Sequence, residues 1–195
     1  MNYLAVDTSG NHLTVLLSKN GALDCYFSKN IGLKHSVTLM SEIENLLEKT
    51  QTSLSEIDVF SVVIGPGSFT GIRIGVATVK ALAYAYNKKV LPVTSFEVLA
   101  YNSVGKKVLS VIDARHDNFY ACGFDGKEVS LSPCFISKEE LEKNSSNYEV
   151  VYDASADLVK GLTLAVESKM ETATEDRESL IPLYVKKSQA EEERK

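Results

Sequence analysis

One pattern occurs twice in this chain, and it narrows the fold more than any other feature. "YLAVDTS" opens as a buried-type strand, Tyr3 to Val6, and ends on Asp7 and two hydroxyl residues. "HLTVLLSKNGALDCYFS" follows and reads as a hairpin about Asn20-Gly21, a dipeptide suited to two-residue turns. Much later, "VLSVIDARHDNFYACGFDGKEVSLSPCFIS" runs through the same order of strand, acidic turn, strand, glycine turn and strand. Asp113 falls where Asp7 falls, "NFYACGF" where "HLTVLL" falls, and Asp125-Gly126 where Asn20-Gly21 falls. Identity between the copies is slight, so the order of elements carries the duplication. An α/β protein of two related lobes is the expectation.

Between the copies the pattern turns helical. Ser36 to Lys49 places Leu39, Met40, Ile43, Leu46 and Leu47 on one stripe, and Ser53-x-x-Glu56 is a capping box for a short turn. "VFSVVIG" is a strand, and the glycine segment after it leads into a helix that reaches about Asn87. Val90 to Val93 is a short strand, and "TSFEVLAYNS" opens another helix with Thr94 or Ser95 as its N-cap. After Ser137 there remain "KEELEKN", a strand "YEVVYD", a helix from Ser155 and a terminal segment, so the second lobe is short. The expected division is a first lobe over 1–98, a smaller lobe over 99–185 and a charged tail over 186–195.

Composition sets the class. With 44% hydrophobic and 24% charged residues over 195 positions, the chain suits an ordinary soluble globular protein. No apolar run approaches the ~20 residues that span a bilayer, and three cysteines without a CxxC pair fit reduced thiols in a cytoplasmic protein. Net charge is −5 without a Lys/Arg cluster, which argues against direct grip on nucleic acid. Only His12, His35 and His116 are present, and Leu39 stands four residues after His35, where a second helix ligand would stand. No HExxH occurs, and no Ser-His-Asp or Cys-His grouping is evident.

"VDTS", "KHSVTLMSEIENLL", "GPGSFTGIRIGVATVKALAYA", "VLSVIDARHDNFYA" and "PLYVKK" occur in the order of one family, over nearly the whole chain. The sequence resembles the bacterial tRNA threonylcarbamoyladenosine biosynthesis proteins TsaB, also called YeaZ. That resemblance implies the actin-like, Hsp70-like ATPase fold, in which two acidic hairpin turns face each other across a cleft and hold the phosphates of ATP. It also implies a cytoplasmic accessory subunit rather than an enzyme. Such a subunit pairs with the catalytic paralogue TsaD, reaches the ATPase TsaE through that complex, pairs with itself, and meets tRNA only indirectly. The reaction served is threonylcarbamoyl transfer to adenosine 37 of tRNAs reading ANN codons. An autonomous ATPase or small-molecule kinase of the same fold, and a glycoprotease-like metallopeptidase, are the competing readings.

Under that resemblance Asp7 and Asp113 would position Mg²⁺ or water, and Thr8, Ser9 and Arg115 would touch phosphate oxygens. Turn capping by the two aspartates is the simpler alternative. No cofactor is required on this reading, and weak ATP or ADP binding is the most expected. The segment Gly65 to Gly71 departs from the Walker pattern, because Ile72-Arg73 stands where Lys-Ser/Thr belongs, and it also departs from GxGxxG. A tight strand-to-helix connection capped by Ser68 or Thr70 accounts for it, with anion contact at the helix N-terminus as the alternative.

The helix beyond is apolar on two sides. Ile72, Val76, Val79, Ala83 and Tyr86 make one face, Ile74, Ala77, Thr78, Ala81 and Ala85 the other, with Arg73 and Lys80 in a strip between. A surface helix needs only one buried stripe. The second face, together with His35 and Met40 of the preceding helix, is expected either to receive a partner or to be covered by that preceding helix.

Overall fold

The computed structural model describes residues 1–103 and 105–186; residues 187–195 of the expected tail lie outside the described residues. Among the described residues nine strands form two sheets. The first contains β1 (Tyr3–Asp7), β2 (His12–Lys19), β3 (Ala22–Lys29), β4 (Val59–Val63) and β5 (Lys89–Val93), in the order β3-β2-β1-β4-β5. The second contains β6 (Lys107–Asp113), β7 (Asn118–Asp125), β8 (Glu128–Ser137) and β9 (Glu149–Tyr152), in the order β8-β7-β6-β9. In each, the first three strands pair antiparallel and the next joins in parallel beside the first. The expected duplication is therefore present, and the second copy is short because its sheet has four strands where the first has five.

The helices are α1 (His35–Lys49), α2 (Phe69–Ala85), α3 (Ser95–Ala100), α4 (Lys138–Ser145) and α5 (Leu158–Lys169). Alternation along β1 explains the layering: Leu4 and Val6 face a core made with α1 and α2, while Tyr3 and Ala5 face a core made with α5 and α3. α3 also packs on one face of the second sheet through Phe96 and Leu99, and α4 covers the other face through Leu141. The layers run α1/α2, first sheet, α3/α5, second sheet, α4.

Local chemistry sets the ends. Thr94 caps α3 in a reciprocal box with Glu97, Ser137 caps α4 with Glu140, and Ser53 boxes with Glu56 at a single 3₁₀ turn. Ser68 caps α2 by accepting from the Gly71 N–H at 3.2 Å. Asn20 and Gly21 both have positive φ, as a type I′ hairpin requires. The second hairpin departs by one residue: β7 runs through Asp125, so its loop is Gly126 and Lys127.

The expected division at 98/99 cuts through α3, and the chain after β9 does not stay with the second sheet. α5 buries Leu162, Ala165 and Val166 against the first sheet, Thr174 bridges to Val90 of β5, and Leu180 enters the core beneath α2. Tyr86, expected on the buried face of α2, is 39% exposed because it lies just past the helix end.

Candidate functional site

The parallel strands of the two sheets end at one cleft. β1 delivers Asp7, β6 delivers Asp113, and the residue after β9 is Asp153; adjoining cavities of about 330 and 630 Å³ share Ser9, Gly10, Asn11, Ile112 and Asp153 as lining. Asp7 and His12 line the smaller one, Asp113 and Arg115 the larger. Ligand crevices outside the carboxyl ends of parallel strands follow from sheet topology.

Asp7 is 2% exposed and fully engaged. Its Oδ1 accepts from the Ser9 N–H at 2.8 Å and the Ser9 hydroxyl at 2.7 Å, and its Oδ2 lies 2.9 Å from His12 Nε2. Burial alone would raise its pKa, but the charge and hydrogen bond of His12 and the Ser9 donors outweigh it, so the carboxyl is held below its ordinary value. His12 moves the opposite way: burial opposes its charge, but Asp7 and, secondly, Asp153 raise its pKa. Asp113 makes the equivalent turn, its Oδ1 accepting from the Arg115 N–H at 2.7 Å. Both aspartates therefore cap the turns that follow their strands. Across the cleft Asp153 accepts from the Ala154 N–H, and its pKa is raised first by burial, with Asp113 adding to the rise. Among the described residues no group of three or more His, Cys, Asp or Glu side chains could hold a metal ion.

The other proposed phosphate contacts are placed differently. The Thr8 side chain is buried under α2, its hydroxyl donating to the Gly71 carbonyl at 2.7 Å, and it lines neither cavity. Ser9 lines both, but its N–H and hydroxyl are given to Asp7 and its carbonyl accepts from the Ser68 N–H at 2.6 Å. Arg115 is exposed and begins a run of positive φ, 66°, 55° and 56° over Arg115, His116 and Asp117, a strained hairpin closed by Ala114 N–H to the Asn118 carbonyl. The glycine segment also has its explanation here. A Cβ on Gly71 would collide with the Thr8 carbonyl oxygen, and one on Gly67 with that of Ser9. These glycines let the loop and the first turn of α2 lie directly on residues 8 and 9.

His12 and Asp153 escaped the sequence reading. Asp7 pairs with Thr14, so His12 lies on the same face two residues along, a position the hairpin register reveals. Asp153 ends "YEVVYD" as Asp7 ends "YLAVD", which was also available as a signal.

The outer face of α1 and α2 is a second candidate. Ala77, Ala81 and Ala85 are exposed and Thr78 is partly so; Ile74 is half-buried against the core between the helices. α1 therefore does not cover the small-residue face. Beside it Val37 (77% exposed), Met40 (40%) and Phe69 (40%) present apolar surface. His35 is a correction to the expected interface: only 5% exposed, it donates from Nε2 to the His12 carbonyl at 2.8 Å and pins α1 to β2.

The family model described as TsaD, tRNA N6-adenosine threonylcarbamoyltransferase, matches residues 30–147. That span carries α1, the glycine segment, α2 and the whole second hairpin. The tRNA threonylcarbamoyladenosine biosynthesis protein TsaB of Bacillus subtilis (strain 168) is 31% identical over 122 residues, and that of Escherichia coli (strain K12) 30% over 135. The chain belongs to this family, as a TsaB/YeaZ member. The TsaB matches cover 62% and 67% of this chain and 53% and 58% of those relatives, so the chain spans little more than half the length of each. YeaZ from Pseudomonas aeruginosa superimposes with a TM-score of 0.81 at 22% identity, over 94% of this chain and 99% of that one. The TsaB/YeaZ fold is thus the duplicated α/β arrangement described above.

Proposed function

We propose that this chain is a non-catalytic subunit for threonylcarbamoyl transfer to adenosine 37 of tRNAs reading ANN codons, and that it acts by pairing with a TsaD-type catalytic subunit. The observation that carries the proposal is the outer face of α1 and α2. Exposed alanines at 77, 81 and 85 let a second helix approach closely, and Val37, Met40 and Phe69 offer apolar contact around them. The same surface suits a homodimer when the catalytic subunit is absent. TsaE would be reached through the complex, and tRNA through its partner.

The state of the cleft supports an accessory role. Both Asp7 oxygens are held by protein groups, and the Thr8 and Ser9 hydroxyls are spent on Gly71 and Asp7. ATP or ADP would therefore find a weak site, and no cofactor is needed for the proposed role. Among the described residues no helix is long and apolar enough to cross a membrane, and the proposed work is cytoplasmic.

Reconstitution tests the reading. TsaD, TsaE, threonylcarbamoyl-adenylate supply and unmodified tRNA are combined with the chain, without it, and with its Ala81→Arg variant. Modification that needs the wild-type chain and fails with the folded variant is the expected result. Full modification without the chain overturns the proposal.

A further inference from the structure

The closing segment "PLYVK" lines neither cavity and meets the α1/α2 face only at Phe69, yet it makes specific contacts along α2. After α5 the chain lays a strap along one flank of α2, a 3₁₀ turn at Arg177–Ser179 followed by irregular backbone, running from the end of that helix to its start. Arg177 donates to the Lys88 carbonyl at 3.0 Å and to Asn87 Oδ1 at 2.8 Å. Glu178 pairs with Lys80 at 2.8 Å and accepts from the Tyr84 hydroxyl. Leu180 is buried in the core below. At the far end the Tyr184 ring stacks on Phe69 with centroids 4.9 Å apart, and Arg73 Nε donates to the Tyr184 oxygen at 2.9 Å while its guanidinium lies over the Phe69 ring.

The strap then crosses to the other lobe. The Leu183 N–H donates to the Ile64 carbonyl at 2.7 Å, and a Cβ on Gly65, where φ is +109°, would stand 2.8 Å from the Leu183 carbonyl. Gly65 thus clears the path of the strap. One residue past Tyr184, Val185 packs on the core formed by α3 and the second sheet, and Lys186 places its ammonium 4.9 Å from the centroid of the Phe135 ring on β8. Three consecutive residues therefore touch α2, the second core and β8.

We propose that residues 176–186 form a releasable clasp that fastens the second lobe to α2, so that a contact made on the exposed flank of α2 is felt in the second sheet and the cleft. The clasp is independent of which partner α2 receives. It is releasable because several of its ties to α2 lie at the surface: Phe69 and Tyr184 are about two-fifths open, and the Lys80–Glu178 pair, with Glu178 exposed, holds weakly. Its reach is specific because Tyr184 and Val185, adjacent in sequence, face different lobes.

Hydrogen–deuterium exchange on the full chain tests this. Tyr184→Ala is expected to accelerate exchange about tenfold in β6, β7 and α3 while β1, β2 and β4 keep wild-type rates, as local release rather than global opening requires. Arg73→Ala, 111 residues away on α2, is expected to give the same second-lobe pattern. The double variant is expected to fall short of the sum of the two single changes, because both remove the Arg73–Tyr184 bond. Tyr184→Phe, which keeps the ring stack and loses the Arg73 bond, should fall between. Unchanged exchange in β6 and β7, uniform acceleration across both sheets, or an Arg73→Ala effect confined to α2 would each overturn the clasp.

Discussion

Asp7 shows how a carboxylate at the mouth of a cleft can be engaged by the turn that follows its own strand. Its carboxylate sits at the carboxyl end of a central strand, facing a cleft, yet each oxygen is already bonded within the first lobe. The linked titrations give a pH signature. Asp7, with a lowered folded pKa, contributes stability above its unfolded value near pH 4, and that contribution is lost as pH falls through the lowered value. His12, with a raised folded pKa, contributes below its unfolded value near pH 6.5, and loses that contribution as pH rises through the raised one. Urea midpoints of wild type and His12→Asn should therefore differ most between about pH 4 and 6.5, and converge on the alkaline side. A gap that is constant with pH would mean that His12 acts by packing alone. Gly71 gives a second expectation at this scale. With the Thr8 carbonyl oxygen in the way of any Cβ, Gly71→Ala should cost roughly 3 kcal/mol or more in a urea titration. Gly126→Ala meets nothing nearby and carries only the ~1 kcal/mol strain of its positive φ.

Among the elements, α2 separates its two apolar faces cleanly. Val76 is buried against the first sheet, where an unpaired guanidinium costs about 3–5 kcal/mol, a large part of a domain's total stability. Ala81 is exposed on the opposite face, where the same side chain stays solvated. Val76→Arg should unfold the chain, whereas Ala81→Arg should melt like wild type and fail to co-elute with a TsaD-type partner. Thermal melts with size-exclusion runs decide it; equal melting of the two variants would mean that Ala81 is core. Helical periodicity made both faces of α2 readable, and capping chemistry made the starts of α2, α3 and the Ser53 turn readable, because each depends on residues within one turn of another. The destination of α5 was not. Its stripe of Leu162, Ala165 and Val166 says that one face is buried, but nothing local says that it crosses to the first sheet. His35 failed for a related reason: a lone histidine at a helix start reads as surface, and only the approach of the His12 carbonyl buries it. The strap was present as a motif without a meaning, since an irregular segment pinned by distant side chains has no period.

Taken whole, the molecule is two related lobes facing each other over a cleft whose two aspartates, Asp7 and Asp113, cap turns. The cleft should bind ATP no tighter than roughly millimolar, worth about 4 kcal/mol; calorimetry giving micromolar affinity that Asp7→Ala abolishes would contradict this. The same scale decides how the chain meets RNA. Affinity for a polyanion comes chiefly from releasing the counterions condensed on its phosphates, and each release needs a cationic side chain close to a phosphate. Here the net charge is −5, and several cations are already committed: Lys80 to Glu178, Lys107 to Asp125, Lys169 to Glu97, and Arg73 to the Tyr184 clasp. The acidic turns Asp113 and Asp153 further place carboxyl groups in the cleft between the lobes. A tRNA approaching the isolated subunit would therefore meet net repulsion with little counterion release to offset it. Filter binding at ~150 mM salt should show no retention of tRNA by the chain alone, and lowering the salt to ~50 mM should recover little, because few phosphate contacts exist to be strengthened. Retention should appear only when a catalytic partner supplies the basic surface. Tight binding by the isolated chain, with a steep salt dependence, would show that it carries its own RNA-binding face and would replace the accessory reading with direct recognition.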